Sequence, residues 1–301
     1  MHVRAHAKLN LALAVGAAEP PRGYHPICSW FVTLDLADDV YLSPIDEGTE
    51  FAVYWAPDAP RPSAIDWPVE KDLAFRAHLA FEAFVGHRCP VKLEVVKRIP
   101  VGGGLGGGSS DAAAVLKGLR DLFAPELEPA KLAQVGAALG ADVAYFCDVA
   151  PGPPRPAIVE GFGERITRVE RAGRAALLVI PPFGCETAGV YRAFDGIKAP
   201  NEEFPVRAAR VRTIADNARR EGLLTAPLFN DLAPAATSAY PALGELLREL
   251  ERATGRRAFV TGSGSCVFIP ALAAELFAIA PRARAVSAML RECVFVECAV
   301  V

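Results

Sequence analysis

The sequence lacks the paired cysteines and histidines of a metal-binding knuckle. Its seven cysteines are scattered and odd in number, and their spacing does not suggest a zinc site. Unclustered cysteines of this kind are typical of reduced, buried thiols. We therefore expect a cytoplasmic protein. The cysteines are Cys28, Cys89, Cys147, Cys185, Cys266, Cys293 and Cys298.

The sequence also lacks an apolar run long enough to cross a membrane. Residues 1–20 do combine basic residues, a short apolar stretch and small residues, as a signal peptide does. Asn10 interrupts that stretch, however, and residues 7–13 alternate in the manner of a strand. We predict a strand of the mature protein here, and we expect no membrane partner.

Neither sign of charge dominates. The 301 residues include 32 basic and 35 acidic side chains, for a net charge of −3, and they contain no basic block. Because nucleic-acid-binding proteins carry clustered basic residues, we expect no nucleic-acid partner. With 52% apolar residues, the chain can bury a substantial core as one large domain or two modest ones.

Glycine, by contrast, is concentrated in one place. The run KRIPVGGGLGGGSSD at residues 97–111 has six glycines in seven positions. The residues before it alternate as a strand does, and apolar residues after it recur at helical spacing, with Ser109 as the predicted N-cap. A glycine loop before a helix N-terminus presents N–H groups to an anion. The run therefore predicts a loop that binds nucleotide phosphates.

Three other kinds of glycine-rich segment fit this run less well. A flexible linker is not usually flanked by a patterned strand and a capped helix. Gly102, Gly104 and Gly107 satisfy G-x-G-x-x-G, but no acidic residue ends a following strand where a dinucleotide ribose would need one. A Walker loop is excluded because no Gly-Lys-Ser/Thr follows the glycines.

Apolar patterns and turn residues predict the remaining elements. Pro270 is expected to separate a strand from the helix that follows it, and Gly140 to end a helix that begins at Pro129. Strands are predicted over 1–15, 27–42, 91–99, 175–180, 257–261, 266–269 and 293–299, with 158–169 returning to the first sheet. Helices are predicted over 71–85, 187–194, 208–221, 242–253 and 271–279.

Four segments, AKLNLAL, PVGGGLGGGSSDAAAVL, LGADVAYF and TGSGSCVFI, follow one another along the chain. Together and in this order they resemble the GHMP kinases, which include galactokinase, homoserine kinase and mevalonate kinase. PVGGGLGGGSSDAAAVL resembles the ATP-binding motif of that family, and AKLNLAL its N-terminal strand. LGADVAYF at residues 139–146 resembles the catalytic-acid segment, and TGSGSCVFI at residues 261–269 the C-terminal glycine motif. The resemblance covers most of the chain, from Ala5 to about Phe268.

The resemblance implies an α+β, two-domain GHMP-kinase-like fold with the active site in the cleft between the domains. Residues 1–172 would form the N-terminal nucleotide-binding domain and residues 173–301 the C-terminal domain. It also implies ATP as phosphoryl donor with Mg²⁺, a small-molecule acceptor, and a monomer or weak homodimer. The implied ATP contacts are Pro100, Val101, Gly102, Gly103, Gly104, Leu105, Gly106, Gly107, Gly108, Ser109 and Ser110.

The resemblance assigns the catalytic chemistry to Lys8 and Asp142. Asp142 would accept or orient the proton of the acceptor hydroxyl, and Lys8 would stabilise the developing alkoxide. Taken singly, Lys8 could instead be a solvated edge residue and Asp142 a cap for the next turn. Asn10 follows Lys8 by two residues on the same strand face. In the family the matching asparagine holds the substrate's polyol, which is the role that the resemblance implies for Asn10. A hydrogen bond at the strand edge is the alternative role for this residue.

AKLNL together with Arg22-Gly23-Tyr24-His25 resembles one branch of the family, whose acceptor is a methylerythritol linked to cytidine diphosphate. A pyrimidine can be gripped by an aromatic face and a hydrogen-bonding edge. The resemblance therefore implies that Tyr24 and His25 bind the base, with Tyr191, after Thr187, as the opposing ring. A structural turn is the alternative for Tyr24 and His25, and a core position for Tyr191.

The C-terminal glycine motif supplies a further part of the implied site, and one position near the adenine pocket departs from the family pattern. Gly262, Ser263 and Gly264 would line the site opposite the phosphate loop, or form only a hairpin turn. Asp72-Leu73 stands where the family commonly has Asn-Leu near the adenine pocket.

The implied function is transfer of the γ-phosphate of ATP to the 2-hydroxyl of the cytidine-linked methylerythritol, a step in non-mevalonate isoprenoid synthesis. Another GHMP-type alcohol kinase and a non-catalytic nucleotide-binding relative are the alternatives. The sugar-binding signature of galactokinases is absent, and the presence of Lys8, Asp142 and the full loop argues against a non-catalytic relative.

Overall fold

The computed structural model describes residues 1–21, 23–171, 174–197 and 202–301. Arg22 and the predicted domain boundary between residues 172 and 173 lie outside the described residues. The described chain contains both helices and strands in mixed order, which confirms the α+β class.

The strands of the described ranges form one eleven-stranded sheet. Its main path runs β3-β4-β2-β11-β7-β10-β9, while β1 pairs with β2 and β8, and β5 pairs with β2 and β6. The strands are β1 (His2–Val15), β2 (Ile27–Pro44), β3 (Thr49–Trp55), β4 (Val91–Lys97), β5 (Ala157–Gly161), β6 (Arg165–Arg168), β7 (Arg174–Ile180), β8 (Phe229–Asn230), β9 (Phe259–Val260), β10 (Val267–Ala271) and β11 (Val294–Val300).

Ten α-helices lie among the described residues. Two of them, α1 and α2, pack with β2 and β4 in one core; α6 covers β1 and β2 in a second; and α5, α7, α8 and α9 enclose β7 and β10 in a third. The helices are α1 (Leu73–Val85), α2 (Gly107–Phe123), α3 (Pro129–Leu139), α4 (Val143–Phe146), α5 (Thr187–Gly196), α6 (Phe204–Glu221), α7 (Ala233–Ala239), α8 (Pro241–Thr254), α9 (Ala273–Val286) and α10 (Ala288–Glu292).

The long antiparallel pair of β1 and β2 carries the predicted catalytic strand. Lys8 pairs with Thr33 and Asn10 with Phe31, and the register shifts on either side of these two positions. From Ala5 to Val15 every residue of β1 is buried. A lysine and an asparagine in such a strand must find partners inside the protein, because an unpaired buried polar group is costly.

Two local predictions are wrong. Helix α2 begins at Gly107 with Gly106 as its N-cap, at φ 72°, so Ser109 lies inside the helix and is not the cap. Pro270 lies within β10, opposite Ala176 of β7. The other neighbour of β10, strand β9, pairs only as far as Phe268. A proline is tolerated here because β9 does not extend to this position. No hydrogen bond on the β9 side of β10 therefore needs the N–H that proline lacks.

All seven cysteines are free and buried, which confirms the prediction of unpaired thiols. Burial raises the pKa of Cys28 to about 11 and that of Cys266 to about 12, so both stay protonated near neutral pH. No helix in the described part of the chain is both long and apolar enough to cross a bilayer.

Candidate active site

The glycine run forms a tightly turned loop between β4 and α2. Gly102, Gly104 and Gly106 have φ values of 72°, 75° and 72°, in the left-handed region that favours glycine. Three alternate residues of the loop thus adopt a backbone conformation that other residues rarely adopt, and Gly106 leads the chain into the first turn of α2. The free N–H groups of that turn, with the positive end of the helix dipole, are of the kind that can bind an anion.

The loop also packs closely on its neighbours. The N–H of Lys8 donates to the carbonyl of Leu105 at 2.9 Å, and the N–H of Cys266 donates to the carbonyl of Gly103 at 3.3 Å. A Cβ atom on Gly104 would overlap the carbonyl oxygen of Thr261. Glycine is therefore required at Gly104 by the protein itself, whether or not a ligand is bound.

Lys8 and Asp142 meet in the structure. Lys8 Nζ lies 3.4 Å from Asp142 Oδ2, and it donates a 2.6 Å hydrogen bond to Asn10 Oδ1. Lys8 is almost fully buried, with its ammonium 4.7 Å from the centre of the Phe31 ring, whereas the Asp142 side chain is 27% exposed. Asp142 precedes α4 but makes no capping bond with its side chain. The carboxylate is thus accessible to a substrate, and the ammonium is held behind it.

One cavity of about 650 Å³ brings most of the predicted site together. Residues from both sides of the predicted domain boundary line it, and the acidic, basic and glycine segments face the same space. The predicted residues in its lining are Lys8, Asn10, Pro100, Val101, Gly102, Gly103, Gly104, Leu105, Gly106, Gly107, Gly108, Ser109, Asp142, Thr187, Tyr191, Gly262 and Ser263.

Four predicted residues lie outside this lining. Ser110 is buried within α2, and its N–H donates to the Gly106 carbonyl at 2.9 Å. Gly264 faces Val260 and neighbouring side chains. Tyr24 and His25 are also absent from the lining, although His25 contacts a residue that belongs to it.

His25 is packed behind Tyr191. Its ring centre lies 5.0 Å from that of Tyr191 and 5.7 Å from that of Phe194, and its side chain is only 5% exposed. Its Nδ1 lies 2.9 Å from the Gly16 carbonyl, and its Nε2 lies 3.5 Å from a carboxylate oxygen of Asp195. The structure therefore gives His25 a supporting position beneath Tyr191.

Tyr24, in contrast, points outward. It is 61% exposed, and its ring centre lies 6.5 Å from that of Phe162. The ring of Tyr24 is thus exposed to solvent, whereas almost none of the His25 side chain is exposed.

The second glycine segment is both a hairpin turn and part of the cavity wall. It connects β9 to β10, which pair antiparallel, with Gly262 at φ 56° and Gly264 at φ 84°. The Ser263 hydroxyl lies 3.0 Å from that of Thr187, at the start of α5. Gly262 and Ser263 thus line the cavity as well as forming the turn, whereas Gly264 belongs to the turn and not to the cavity lining.

Comparison with known proteins decides the family. The sequence profile of the GHMP kinases N terminal domain matches residues 72–150, and that of the GHMP kinases C terminal region matches residues 206–291. A 4-diphosphocytidyl-2-C-methyl-D-erythritol kinase of Clostridium kluyveri is 32% identical over 274 residues, which cover 89% of this chain and 90% of that protein. The chain belongs to the GHMP kinases.

Further relatives agree. The kinase of the same name from Geobacter sulfurreducens is 33% identical over 267 residues, 88% of each protein. A crystal structure of 4-(cytidine 5'-diphospho)-2C-methyl-D-erythritol kinase superposes with a TM-score of 0.75 at 30% identity, covering 100% of both chains. Homoserine kinase from Cytophaga hutchinsonii, at 16% identity and a TM-score of 0.68 over 98% of this chain and 94% of that one, shares the fold. GHMP kinases are ATP-dependent small-molecule phosphotransferases.

The departure at Asp72 has a local explanation in this GHMP kinase. Asp72 is the N-cap of α1: its Oδ1 accepts from the N–H of Ala74 at 2.8 Å, and its Oδ2 accepts from the indole of Trp67 at 2.9 Å. Aspartate and asparagine cap helices equally well. Aspartate in place of asparagine therefore keeps the helix cap. It also binds the indole of Trp67, a residue of the cavity lining that the sequence did not indicate.

A buried ion cluster beneath the loop was also missed. Lys97 Nζ bonds to both Asp38 and Asp111, all three nearly inaccessible to solvent. Burial opposes the charge on Lys97, but the two carboxylates raise its pKa above the ordinary value. Burial holds the pKa of Asp111 well above its usual range, although Lys97 opposes this. Asp38 also accepts from the N–H of Ile99 at 2.7 Å, so the cluster anchors the start of the phosphate loop.

Proposed function

We propose that this GHMP kinase transfers the γ-phosphate of ATP to the 2-hydroxyl of 4-diphosphocytidyl-2-C-methyl-D-erythritol. The observation that carries the proposal is the convergence of the glycine loop and the Lys8–Asp142 pair on one cavity. The choice of acceptor is supported by relatives with that kinase name that cover nearly nine-tenths of the chain.

The reaction needs one proton acceptor. The hydroxyl oxygen of the alcohol substrate forms a bond to the γ-phosphorus of ATP, and the O–H bond of that hydroxyl breaks. The bond from the γ-phosphorus to the ADP oxygen breaks as well. We assign the proton to Asp142, whose carboxylate is partly exposed in the cavity. Because the transition state of phosphoryl transfer is mostly dissociative, Asp142 acts mainly by orienting the hydroxyl and receives the proton late.

Lys8 supplies positive charge at the same point. Its ammonium lies against Asp142 and is withdrawn from bulk water, where a fixed charge stabilises developing negative charge most effectively. Asn10 restrains it: Oδ1 accepts from Lys8, and Nδ2 donates to the Ser29 hydroxyl at 3.0 Å. We propose that Asn10 orients Lys8 and, from its position in the cavity wall, also contacts the polyol.

The acceptor's base would bind beside Tyr191. Thr187 and Tyr191 line the cavity, and His25 supports the Tyr191 ring from behind. We propose that the exposed Tyr24 ring closes over the base from the other side. Binding energy from this remote group can then be used to align the reacting hydroxyl with Asp142.

Mg²⁺ would enter with ATP. Among the described residues, no group of three or more histidine, cysteine, aspartate or glutamate side chains could hold a metal ion. A nucleotide-bound Mg²⁺ needs few protein ligands, because phosphates and water supply most of its six oxygens. The donor set fits such an ion: Ser109, in the first turn of α2 and in the cavity wall, supplies the hydroxyl we propose as its protein contact. When bound, the ion neutralises phosphate charge.

We further propose a cytoplasmic monomer or weak homodimer that binds neither nucleic acid nor membrane. The supporting observations are the seven free thiols and the net charge of −3.

An acceptor panel tests the function. ADP release with ATP and Mg²⁺ should be far faster with 4-diphosphocytidyl-2-C-methylerythritol than with galactose, homoserine or mevalonate. Methylerythritol without its cytidine diphosphate should be a poor acceptor even at high concentration, because the base aligns the hydroxyl. Faster turnover of any competitor would instead support another GHMP-type alcohol kinase, and turnover of none would support a non-catalytic relative.

A further inference from the structure

Asn230 holds the second glycine turn in place from outside the cavity. Its Nδ2 donates to two carbonyls of that turn, those of Val260 and Gly262, each at 2.8 Å. Its Oδ1 accepts from the N–H of Leu232 at 2.9 Å. Only a primary amide offers two N–H donors and an acceptor in this arrangement. Aspartate, of the same shape, would face both carbonyls with lone pairs.

The backbone of Asn230 is attached to the catalytic strand. Strand β8 pairs in parallel with β1, with Asn230 opposite Leu13, and the N–H of Asp231 donates to the Leu13 carbonyl at 3.0 Å. Asn230 therefore joins two parts of the protein: its main chain belongs to the sheet beside β1, and its side chain fixes the glycine turn against that sheet.

Thr261 lies between the two residues whose carbonyls Asn230 binds, and its side chain contacts both β1 and the phosphate loop. It is fully buried and does not line the cavity. Its hydroxyl oxygen accepts from the N–H of Asn10 at 3.1 Å, and it lies 3.4 Å from both Asn10 Oδ1 and the Gly104 carbonyl. One hydroxyl thus contacts both the catalytic strand and the phosphate loop.

The connection ends at the reacting groups. Asn10 Oδ1, which Thr261 contacts, is the atom that accepts the 2.6 Å bond from Lys8 Nζ, and Lys8 lies 3.4 Å from Asp142. A shift of the turn would move Thr261, then the Asn10 amide, and then the ammonium. The attachment of β1 to the phosphate loop through the Lys8 N–H and the Leu105 carbonyl would remain.

We infer that Thr261 and Asn230 are positioning residues for phosphoryl transfer, which hold Asn10 and so fix the Lys8 ammonium against Asp142. This inference rests on the proposed kinase function. Neither residue lines the cavity, so both act through Asn10 and touch neither ATP nor acceptor. Their loss affects the chemical step more than the binding of either substrate, because the contacts they support stabilise the transition state.

A matched pair at Thr261 separates the hydroxyl from the shape of the side chain. Thr261→Val keeps the volume and removes the hydroxyl, while Thr261→Ser keeps the hydroxyl and removes a methyl group. We expect Thr261→Val to lower kcat by about tenfold or more with a Kd for an ATP analogue within about threefold of wild type, and Thr261→Ser to stay within about threefold of wild type in both. Equal losses of kcat in the two variants, or no loss in Thr261→Val, would overturn the inference.

A double-mutant cycle tests whether the two residues act through one connection. Asn230→Asp should lower kcat as Thr261→Val does, and the double variant should be little worse than the poorer single variant. Losses that multiply would mean independent roles and would overturn the inference for Asn230. If Asn230→Asp does not fold, Asn230→Ala, which removes the amide without adding a charge, takes its place in the cycle.

The wild-type protein, assayed with the cytidine-linked acceptor in the same experiment, keeps the two proposals apart. Absence of wild-type turnover rejects the proposed function. Normal wild-type turnover with insensitive Thr261 variants rejects only the positioning role.

Discussion

The Nζ atom of Lys8 lies 3.4 Å from Oδ2 of Asp142, with the ammonium buried and the carboxylate partly open to the cavity. The two residues are far apart along the chain, and tertiary packing brings them together. The N–H of Lys8 bonds to Leu105 of the phosphate loop, and a Cβ atom on Gly106 would contact both Lys8 and Phe146 of α4. The Lys8 ammonium needs a partner in its buried site, and Asp142 needs exposure to reach a substrate. Their unequal burial thus matches the separate roles proposed for them.

Replacing Asp142 with asparagine should remove activity with little effect on binding. Asp142→Asn keeps the shape but loses the charge that faces Lys8, so kcat should fall by about 10²–10⁴-fold, the usual contribution of a general base. Steady-state kinetics with a parallel titration of an ATP analogue measures both quantities. Asp121→Asn, which alters an exposed carboxylate beside Arg120, is the matched control and should retain wild-type kcat. Near-normal turnover of Asp142→Asn would reject its assignment.

Two glycines of the phosphate loop should differ in their tolerance of a side chain. Gly102 and Gly104 both have positive φ, which costs a non-glycine residue about 1–2 kcal/mol. Among the described residues a Cβ on Gly102 meets nothing within 4 Å, whereas one on Gly104 overlaps the Thr261 carbonyl. Gly104→Ala should therefore lower the free energy of unfolding clearly more than Gly102→Ala in urea titrations without nucleotide. Equal losses would mean that the loop does not pack on the second glycine turn.

Tyr24 offers a clean test of base recognition because its exposed side chain contributes little to the core. Stacking on a base is worth about 1–3 kcal/mol, so Tyr24→Ala should raise the Kd of the cytidine-linked acceptor by roughly 5- to 150-fold and leave that of ATP unchanged. Calorimetric titration with each ligand measures this. Tyr54→Ala, at another exposed tyrosine, should change neither Kd. An unchanged acceptor Kd in Tyr24→Ala would remove Tyr24 from the site.

The thiols should be unreactive in the folded protein. Burial raises the pKa of Cys147 and Cys266 to about 12 and that of Cys185 to about 11, so the nucleophilic thiolate is scarce at pH 8. A chromogenic disulfide reagent should label no more than about one thiol per chain within minutes, and all seven after unfolding in guanidinium. Rapid labelling of several thiols in the native protein would contradict this burial.

The sequence predicted those parts of the site that depend on local pattern. Six glycines between a strand and a helix indicated the phosphate loop without any relative, because few other structures need that composition. Lys8 and Asp142, in contrast, are single residues in ordinary surroundings, and only the family resemblance selected them. Nothing in their local sequence encodes the 3.4 Å between them, which is set by tertiary packing.

The features that were missed depend on tertiary contacts. Strand β8 has only two residues and forms because β1 offers a free edge, so no periodicity could reveal it. Asp38, Thr261 and Asn230 are isolated polar residues whose importance appears only when their partners are placed. His25 was expected at the base, but burial against Tyr191 and Phe194 could not be read from the four residues around it.

The most direct test of the central claim is ³¹P nuclear magnetic resonance of a reaction with ATP, Mg²⁺ and 4-diphosphocytidyl-2-C-methylerythritol. The proposed function predicts a new phosphomonoester signal, coupled through its ester bond to the C2 position, that grows in step with ADP while the acceptor's diphosphate signals persist. The Asp142→Asn variant should produce neither change at a comparable rate. ADP with free phosphate and no new ester, or a phosphate placed on another hydroxyl, would contradict the account.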